Sequence, residues 1–320
     1  MKQLNWGIIG AGRIAQQFAA DIALVDNAHL YAIAARELSR AQAFADDYQA
    51  EQAYGSYEQL LDDPKLDAVY IATPHNLHFE QAKAAILGGK SVLCEKPFTV
   101  SPLEAQTLFE LAQREQVYLM EGMWTYFLPA IQKAKAWVEQ GRIGKLRHIK
   151  ADFGYPIEYH PRRREYDVNL AGGALFEMGI YPIALTHLFC KQAPQSLQVD
   201  STLAQNGVED DVCSLQRFGD VKATLGTSFK CRLGNKAYLI GEQGYIVIPD
   251  FFRASECALY QIDECLEEFS EPHQGHGFEY EIAAVTDEIQ QGKLTCAVVT
   301  PEDTVAFQQR IAEMRALCLC

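Results

Sequence analysis

The chain has 320 residues, of which 48% are hydrophobic and 22% are charged, and these fractions are typical of a globular protein. Its length indicates about two domains of ~100–200 residues each. Acidic residues outnumber basic ones by 42 to 28, which gives a net charge of −14. This excess of negative charge excludes broad binding to a nucleic-acid backbone, although it is compatible with a local basic pocket.

No uninterrupted apolar run approaches the ~20 residues that cross a bilayer, and residues 1–12 lack the long apolar segment and cleavage site of a signal peptide. The nine cysteines are odd in number and include no CxxC pair. The odd count, the length of the chain and the missing signal peptide favour reduced thiols. We therefore expect a cytoplasmic protein without a membrane partner. Neither His75 with His78 nor His273 with His276 has further ligands at a metal-binding spacing, so we expect no metal site.

The first 120 residues alternate short apolar segments with segments of helical periodicity. The predicted strands are residues 6–9, 30–35, 68–72, 91–94 and 117–120. The predicted helices are residues 14–24, 40–48, 57–61, 78–87 and 102–114. Strands that are apolar throughout and alternate with helices are typical of a parallel sheet covered on both faces. Residues 1–122 are therefore predicted to form a doubly wound α/β domain of the Rossmann type.

The pattern changes after residue 122, where segments of period two replace the regular alternation. The predicted strands are residues 146–153, 197–203, 211–217, 221–229, 236–241, 245–249 and 258–263. The predicted helices are residues 129–140, 172–190, 278–290 and 301–317. This succession is typical of a mostly antiparallel sheet packed with helices. Residues 123–320 are therefore predicted to form a second, α+β domain that binds the substrate.

A glycine-rich motif, GAGRIA, occupies residues 10–15 between the first strand and the first helix, where a dinucleotide-binding motif must lie. Gly10 permits the tight turn, Gly12 lets the backbone approach a pyrophosphate, and Ala15 allows close packing of helix on strand. Arg13 and Ile14 open the helix, whose N-terminus favours a phosphate. We predict a bound dinucleotide; the alternative is a glycine-rich turn without a ligand.

The end of the second strand distinguishes between the two nicotinamide cofactors. An acidic residue there would accept hydrogen bonds from a ribose 2′-hydroxyl, but the chain has Arg36, whose fork of donors suits a 2′-phosphate. Ser39 and Arg40 add a hydroxyl and a second cation. NADP is therefore favoured, while the adjacent Glu37 leaves NAD possible. The alternative is a pair of solvated surface arginines.

Polar residues follow the strand at 68–72, at the carboxyl end where open α/β sheets bind ligands. Thr73, Pro74, His75 and Asn76 are candidate cofactor contacts, because their side chains or backbone can reach the ribose or nicotinamide. His78, which begins the next helix, is a candidate catalytic residue. The alternative for His78 is a structural imidazole at a helix end.

Glu95 and Lys96 follow the next strand and face the same crevice in the predicted sheet. Beside a cationic nicotinamide the ammonium form of Lys96 is disfavoured, which suits a group that polarises or deprotonates a hydroxyl. We predict that Lys96 is catalytic and that both residues contact the cofactor. The alternative is a surface lysine before a turn.

Glu177 and Tyr181 lie four residues apart on a predicted helix and therefore share one face. Tyr181 is a candidate to exchange a proton with a substrate hydroxyl, and a core tyrosine is the alternative. The basic cluster at residues 161–164 is interpreted as a solvated loop, with cofactor or substrate contact as the alternative. Trp124 follows the last α/β strand and belongs to an interdomain core or to an aromatic wall for a flat substrate.

Four segments together resemble the family of glucose–fructose oxidoreductase, inositol dehydrogenase and the rhizopine-catabolism protein. They are GAGRIA at residues 10–15, ATPHNLH at 72–78, CEKP at 94–97 and GGALFEMGIY at 172–181. The resemblance covers essentially the whole chain and is strongest to the branch that oxidises trans-dihydrodiols and D-xylose with NADP. Tyr181 marks this branch, since many family members have His there. Glu177 departs from it, since the branch typically has Asp.

The resemblance implies roles for these residues. Lys96 and Tyr181 would act at the substrate carbinol, with Glu177 orienting or tuning them, and Trp124 and Phe153 would line the substrate pocket. Two arginines, at positions 36 and 40, would hold the 2′-phosphate. The open sheet of the second domain would form a homodimer interface.

The predicted function is an NADP-dependent oxidoreductase. It transfers a hydride between nicotinamide and a carbinol carbon of an aldose, such as D-xylose, or of a trans-dihydrodiol. One alternative keeps the fold and changes the substrate to an inositol or another cyclic polyol. The other alternative is a non-catalytic NADPH-binding sensor, against which the presence of both Lys96 and Tyr181 argues.

Overall fold

The structure is a computed structural model that describes residues 3–318. By packing, the chain forms two units. The first contains Met1–Trp124 and His273–Thr304, and the second contains Thr125–Pro272 and Val305–Cys320. Residues 273–304 thus pack with the first unit, although they lie within the predicted second domain. The domain boundaries at residues 122 and 123 stay a prediction.

Within residues 3–318, six parallel strands form the sheet of the first unit, in the order β3-β2-β1-β4-β5-β6. The strands are β1 (Leu4–Ile9), β2 (Ala28–Ala34), β3 (Gln52–Tyr54), β4 (Ala68–Ile71), β5 (Ser91–Glu95) and β6 (Leu119–Gly122). The helices between them are α1 (Arg13–Ile22), α2 (Leu38–Tyr48), α3 (Tyr57–Leu61), α4 (His78–Leu87) and α5 (Pro102–Glu115). The direction of the strand order reverses between β1 and β4, and ligands of such sheets bind beside that reversal.

Within the described residues, eight strands form the sheet of the second unit, in the order β14-β13-β12-β11-β7-β10-β9-β8. Strands β7 and β10 pair in parallel, and the other neighbours pair antiparallel. The strands are β7 (Leu146–Gly154), β8 (Ser196–Leu203), β9 (Glu209–Phe218), β10 (Val221–Ser228), β11 (Lys236–Gly241), β12 (Tyr245–Pro249), β13 (Glu256–Gln261) and β14 (Glu264–Ser270). The helices are α6 (Pro129–Glu139) and α7 (Ile180–Cys190), which directly follows a π-helical turn, Leu175–Gly179. The predicted fold class, a Rossmann-type parallel sheet and a second, mostly antiparallel sheet, is confirmed.

Two further helices follow the second sheet in the chain, α8 (Phe278–Gln290) and α9 (Pro301–Cys318). Helix α8 belongs to the first unit because its N-terminus and its buried face bind there. The carboxylate of Asp21 accepts the amide N–H of Phe278 at 2.9 Å, which caps the helix. The indole N–H of Trp6, in β1, donates to the hydroxyl of Thr286 at 3.2 Å.

Three elements differ from the predicted ones. Strand β3 has three residues, none of them fully buried, so it carries little apolar signal. Strand β14 is rich in glutamate, as suits an edge strand whose charges block further pairing. The predicted helix of residues 172–190 contains the π-helical turn, because Pro182 has no N–H to bond the preceding turn.

One segment, Val168–Cys190, is long and apolar enough to cross a membrane by length and composition alone. However, 72% of its most apolar stretch is buried inside the protein. A buried core helix passes the same test, so this segment is weak evidence for a membrane span. All eight cysteines that the structure describes are free thiols.

Candidate functional site

The glycine motif forms the cradle that a dinucleotide pyrophosphate needs. Gly10 has a φ of 102°, and a Cβ added there would lie 3.0 Å from the carbonyl oxygen of Ala72, so only glycine fits without strain. Gly12 is exposed, and a Cβ added there would meet nothing closer than 4.0 Å. Among the described residues, no side chain caps helix α1 and no acidic residue lies in its first turn. Its amide groups, including those of Arg13 and Ile14, can therefore bind a phosphate.

A positively charged edge lies beside this cradle. Arg36, Ser39 and Arg40 are all exposed, and the Arg40 guanidinium donates to the carbonyl oxygen of Ala11 at 3.4 Å. Burial raises the pKa of Tyr57, and the positive charges of Arg36 and Arg40 oppose that rise. These residues fit a ribose 2′-phosphate, because a phosphate there would meet two guanidinium groups and a hydroxyl.

The loop after β4 carries the next group of predicted cofactor contacts. Thr73 is half-buried and donates its hydroxyl proton to Gln81 at 2.5 Å. Pro74 is half-buried and His75 is buried, whereas Asn76 is exposed. The loop therefore presents the Asn76 amide and the backbone to a ligand, while the Thr73 hydroxyl already donates its proton to Gln81 of α4.

His78 connects two loops of the first unit. Its side chain is fully buried, and its ring nitrogens lie 2.8 Å from the carbonyl oxygen of Thr73 and 2.9 Å from that of Pro97. The imidazole therefore joins the loop after β4 to the loop after β5, which carries Lys96. A catalytic role for His78 stays a prediction, and the geometry describes a residue that holds these loops together.

Lys96 lies at the carboxyl end of β5, half-buried and before a cis peptide bond to Pro97. Its amide N–H donates to a carboxylate oxygen of Glu95 at 3.1 Å. The other carboxylate oxygen of Glu95 accepts a short hydrogen bond from the hydroxyl of Tyr70, in β4. Glu95 thus fixes the turn that presents Lys96, and its predicted contact with a cofactor is untested.

Two further buried carboxyl groups lie beside Glu95, and neither was predicted from the sequence. Glu121 is on β6 and Glu281 is on α8, and both are fully buried. Burial raises the pKa of Glu121 to about 7. Burial, together with the charges of Glu95 and Glu121, raises the pKa of Glu281 well above its ordinary value. A glutamate in an apolar strand could have signalled the first of them, but no local pattern pairs it with a helix from the far end of the chain.

In the second unit, Tyr181 lies in an aromatic cluster with Phe153 and Phe252. The rings of Tyr181 and Phe153 meet edge to face with their centroids 5.4 Å apart, and Phe153 stacks on Phe252 at 4.0 Å. Phe153 lies near the end of β7 and Phe252 follows β12, so the fold brings them together. Phe252 was missed in the sequence, where a Phe-Phe pair after a strand resembles ordinary core.

Trp124 belongs to the first unit and is buried. Its ring stacks on that of Phe278, with the centroids 4.8 Å apart and the planes within 5°. The flat contact fixes the indole against the start of α8. Its predicted contact with substrate is untested.

The predicted acid Glu177 is paired with an arginine. Arg164 donates from both terminal nitrogens to the two carboxylate oxygens of Glu177, one of them at 2.7 Å. The Glu177 side chain is 9% exposed and that of Arg164 is 39% exposed. Arg164 belongs to the basic cluster interpreted as a solvated loop, and for this residue the structure corrects the interpretation, because its guanidinium binds a buried carboxylate.

The described residues thus supply a dinucleotide cradle, a lysine at a strand end, and a tyrosine in an aromatic cluster. Within residues 3–318, no three His, Cys, Asp or Glu side chains are grouped so that they could hold a metal ion. These groups suit transfer of a hydride to a bound dinucleotide with acid–base help from the chain.

Comparison with known proteins identifies the family. Residues 4–123 match the model of an oxidoreductase family with an NAD-binding Rossmann fold, and residues 131–247 match the Gfo/Idh/MocA C-terminal domain. The chain belongs to the Gfo/Idh/MocA oxidoreductase family. The predicted family and the predicted enzyme class, an NAD(P)-binding dehydrogenase, are confirmed.

Among its relatives is the mouse trans-1,2-dihydrobenzene-1,2-diol dehydrogenase, 35% identical over 257 residues, which are 79% of this chain and 77% of the mouse protein. The human enzyme of the same name is 36% identical over 76% of this chain and 73% of its own. The fold is similar to that of an aldose–aldose oxidoreductase from Caulobacter crescentus, with a TM-score of 0.90, 20% identity, and coverage of 99% and 98% of the two chains. It is also similar to a 3-ketoreductase from Actinomadura kijaniata in complex with NADP and TDP-benzene, with a TM-score of 0.85, 25% identity and 98% coverage of both chains.

Proposed function

We propose that the protein is an NADP-dependent dehydrogenase that transfers a hydride between the nicotinamide and a carbinol carbon of a trans-dihydrodiol or of an aldose such as D-xylose. The observation that carries the proposal is the similarity to dihydrodiol dehydrogenases over about three quarters of the chain. Lys96 at a strand end and Tyr181 in an aromatic cluster support it, because each is a residue type that can move a hydroxyl proton.

When bound, the nicotinamide supplies the hydride acceptor, and the protein supplies alignment and proton transfer. In the oxidation, the substrate hydroxyl gives its proton to the pair of Tyr181 and Lys96 while the carbonyl double bond forms. Such acid–base help is worth ~10²–10⁴-fold in rate. Glu177 does not serve as a free base, because Arg164 already neutralises its carboxylate; it orients the helix face that carries Tyr181.

The aromatic cluster favours a substrate with an apolar ring face. Phe153 and Phe252 stack beside Tyr181, and a dihydrodiol ring offers flat, unsaturated carbon for such contacts. An aldose presents hydroxyl groups, which need hydrogen-bond partners in a pocket. We therefore place the trans-dihydrodiol before the aldose as the better substrate.

The preference for NADP over NAD rests on Arg36, Ser39 and Arg40. Replacing Arg36 by Ala removes one charged hydrogen-bond donor, and such bonds contribute about 1.5–3 kcal/mol. We expect Arg36→Ala to weaken NADPH binding by roughly 10–100-fold and to change NADH binding much less, as measured by nucleotide fluorescence titration. Equal losses for the two nucleotides would contradict the proposed preference.

A substrate screen tests the proposed reaction. Purified enzyme would be assayed with NADP and with NAD against trans-dihydrodiols, aldoses and inositols, with formation of the reduced nucleotide followed by absorbance. Turnover of dihydrodiols or aldoses with NADP is the expected result. Turnover of inositols alone would indicate a dehydrogenase of cyclic polyols. Nucleotide binding without turnover of any of these substrates would indicate a non-catalytic NADPH-binding sensor.

We also propose that the protein forms a homodimer through the outer face of the second sheet. That face carries half-buried apolar and aromatic side chains, among them Tyr238 and Val247, and the rings of Tyr245 and Tyr260 stack on it 5.0 Å apart. Burying such a patch is favourable. We expect sedimentation analysis to show a dimer and Val247→Arg to yield a monomer; a monomeric wild type would contradict this.

A cytoplasmic location is proposed on the state of the thiols. Cys213, Cys231 and Cys265 are exposed and unpaired with other cysteines in the described residues. Exposed free thiols are typical of a reducing compartment.

A further inference from the structure

Three glutamates form a buried carboxyl cluster at the carboxyl ends of β5 and β6, next to Lys96. Glu95, Glu121 and Glu281 are 7%, 0% and 0% exposed. They come from three elements, β5, β6 and α8, of the same unit. Burying a charged carboxylate is costly unless it is paired with an opposite charge or accepts hydrogen bonds. The surroundings of each glutamate therefore decide whether it is ionised or protonated.

Glu95 and Glu121 are each held by donors from the protein. The hydroxyl of Tyr70 and the amide N–H of Lys96 donate to Glu95. The amide N–H of Phe98 donates to Glu121 at 2.9 Å. Donors of this kind favour the ionised form of a carboxyl group, so each of these two glutamates can carry a charge.

Glu281 is different from its two neighbours. Within residues 3–318, neither of its carboxyl oxygens has a hydrogen-bond partner. Its Oε1 lies 3.7 Å from the position that a Cβ on Gly122 would take, so it points at the end of β6. A fully buried carboxylate without a donor, facing two other carboxyl groups, is the least stable charge in the cluster. Burial and the charges of Glu95 and Glu121 raise its pKa accordingly, so the neutral, protonated form of Glu281 is favoured.

Glu121 is the member of the cluster that can change its charge near neutral pH. Burial and the charge of Glu95 raise its pKa, whereas the hydrogen bond from Phe98, the nearby hydroxyl of Thr304 and the charge of Lys96 lower it. A further titratable neighbour is Cys94, whose thiol stays neutral because burial raises its pKa. The influence of Lys96 on Glu121 is reciprocal: an ionised Glu121 must stabilise a cationic Lys96 by the same free energy.

We propose that Glu121, whose carboxylate accepts the amide N–H of Phe98 in the turn after Lys96, is a positioning residue that sets the charge beside this turn, and that Glu281 is held neutral so that Glu121 can ionise. The inference rests on the proposed role of Lys96 in proton transfer. In that step the substrate O–H bond breaks and an N–H bond forms on Lys96, while the hydride goes to the nicotinamide. Glu121 neither gains nor loses a proton; its negative charge stabilises the ammonium group as it forms. When Glu121 is protonated, that stabilisation is absent.

The pH dependence of turnover tests this role. We expect kcat for oxidation to rise through about pH 7 in the wild type, as Glu121 ionises. Glu121→Gln should remove this inflection and lower kcat at pH 8 by about tenfold, which lies at the lower end of the coupling between two sites in a protein. Glutamine keeps an oxygen that accepts from Phe98, so the variant preserves the hydrogen bond. An unchanged inflection in Glu121→Gln would overturn the proposal.

The variant Glu281→Gln tests whether the carboxyl group of Glu281 is protonated and neutral. If Glu281 is already protonated, its replacement by a neutral amide leaves the inflection where it is. If Glu281 is ionised, the substitution removes a like charge beside Glu121 and moves the inflection to lower pH, which would overturn the proposal. Glu288→Gln is a matched control, because Glu288 is a buried glutamate on the same helix that bonds Tyr118 and Lys293 instead. It should leave the inflection unchanged.

A measurement that does not depend on turnover tests this inference separately from the proposed function. Infrared spectra of the cofactor-free protein would follow the carbonyl stretch of protonated carboxyl groups across a pH titration. One such band should persist above pH 7 and vanish in Glu281→Gln, and another should titrate near pH 7 and vanish in Glu121→Gln. Absence of both bands would overturn the inference. Both bands with no turnover of any substrate would overturn the proposed function, and with it the role at Lys96, but not the protonation states.

Discussion

Replacing Glu121 by Gln is expected to stabilise the protein at alkaline pH and not at acidic pH. Burial raises the pKa of Glu121 from its ordinary value of 4.5 to about 7. A carboxyl group whose pKa is higher in the folded state binds more protons there than in the unfolded state. Its contribution to stability is therefore fully present below pH 4.5 and is lost as the pH rises through about 7.

The magnitude follows from the two pKa values. Between pH 5 and pH 8 this group should cost the wild type roughly 2–3 kcal/mol of unfolding free energy, since one pKa unit corresponds to about 1.4 kcal/mol. Glutamine has no proton to lose, so the variant escapes that cost. The free-energy difference between variant and wild type should therefore shift in favour of the variant by the same amount between pH 5 and pH 8.

Urea unfolding followed by tryptophan fluorescence at pH 5 and pH 8 measures this difference. Subtracting the wild-type value at each pH removes the contributions of the other titrating groups. Glu288→Gln provides a control, because Glu288 is a buried glutamate of α8 whose carboxylate accepts hydrogen bonds from the Tyr118 hydroxyl and the Lys293 ammonium. If the difference for Glu121→Gln were the same at both pH values, the reasoning from burial would be refuted.

Two further predictions concern the proposed reaction and the ion pair between Arg164 and Glu177. Lys96→Met and Tyr181→Phe should each lower turnover by ~10²–10⁴-fold while NADPH binding, measured by fluorescence, is retained; retained turnover would remove the substituted residue from the mechanism. Arg164→Ala should remove the arginine that binds the buried carboxylate of Glu177 and cost about 1–2 kcal/mol, a value reduced from that of a fully buried pair because Arg164 is 39% exposed. The double variant with Glu177→Gln should recover most of that loss in thermal unfolding, and a double variant as unstable as Arg164→Ala would contradict the pairing.

Local motifs made much of the first unit predictable from the sequence. The turn at Gly10 needs glycine because of its own backbone angle and a neighbouring carbonyl, and such requirements act within a few residues. Strand β4 is apolar at every position, which indicates burial on both faces. The position of Lys96 after β5 followed from the same alternation. For these residues, chain-local geometry and periodicity determine both the element and its place in the sheet.

Other features arise only when distant segments meet. The amphipathic pattern of α8 predicts a helix but not that Asp21 and Trp6 of the first unit bind it. Arg164 resembles a solvated cation in its loop, and only the fold places the carboxylate of Glu177 against it.

The buried carboxyl cluster shows most clearly which features the sequence determines and which only the tertiary structure decides. The sequence determined that a lysine follows a strand in a dinucleotide-binding sheet. The tertiary structure decided that Glu121 and Glu281, from β6 and α8, are enclosed with Glu95 beside that lysine. The physical reason is that charge states in an interior depend on burial and on neighbouring charges, and both come from whichever segments the fold packs there.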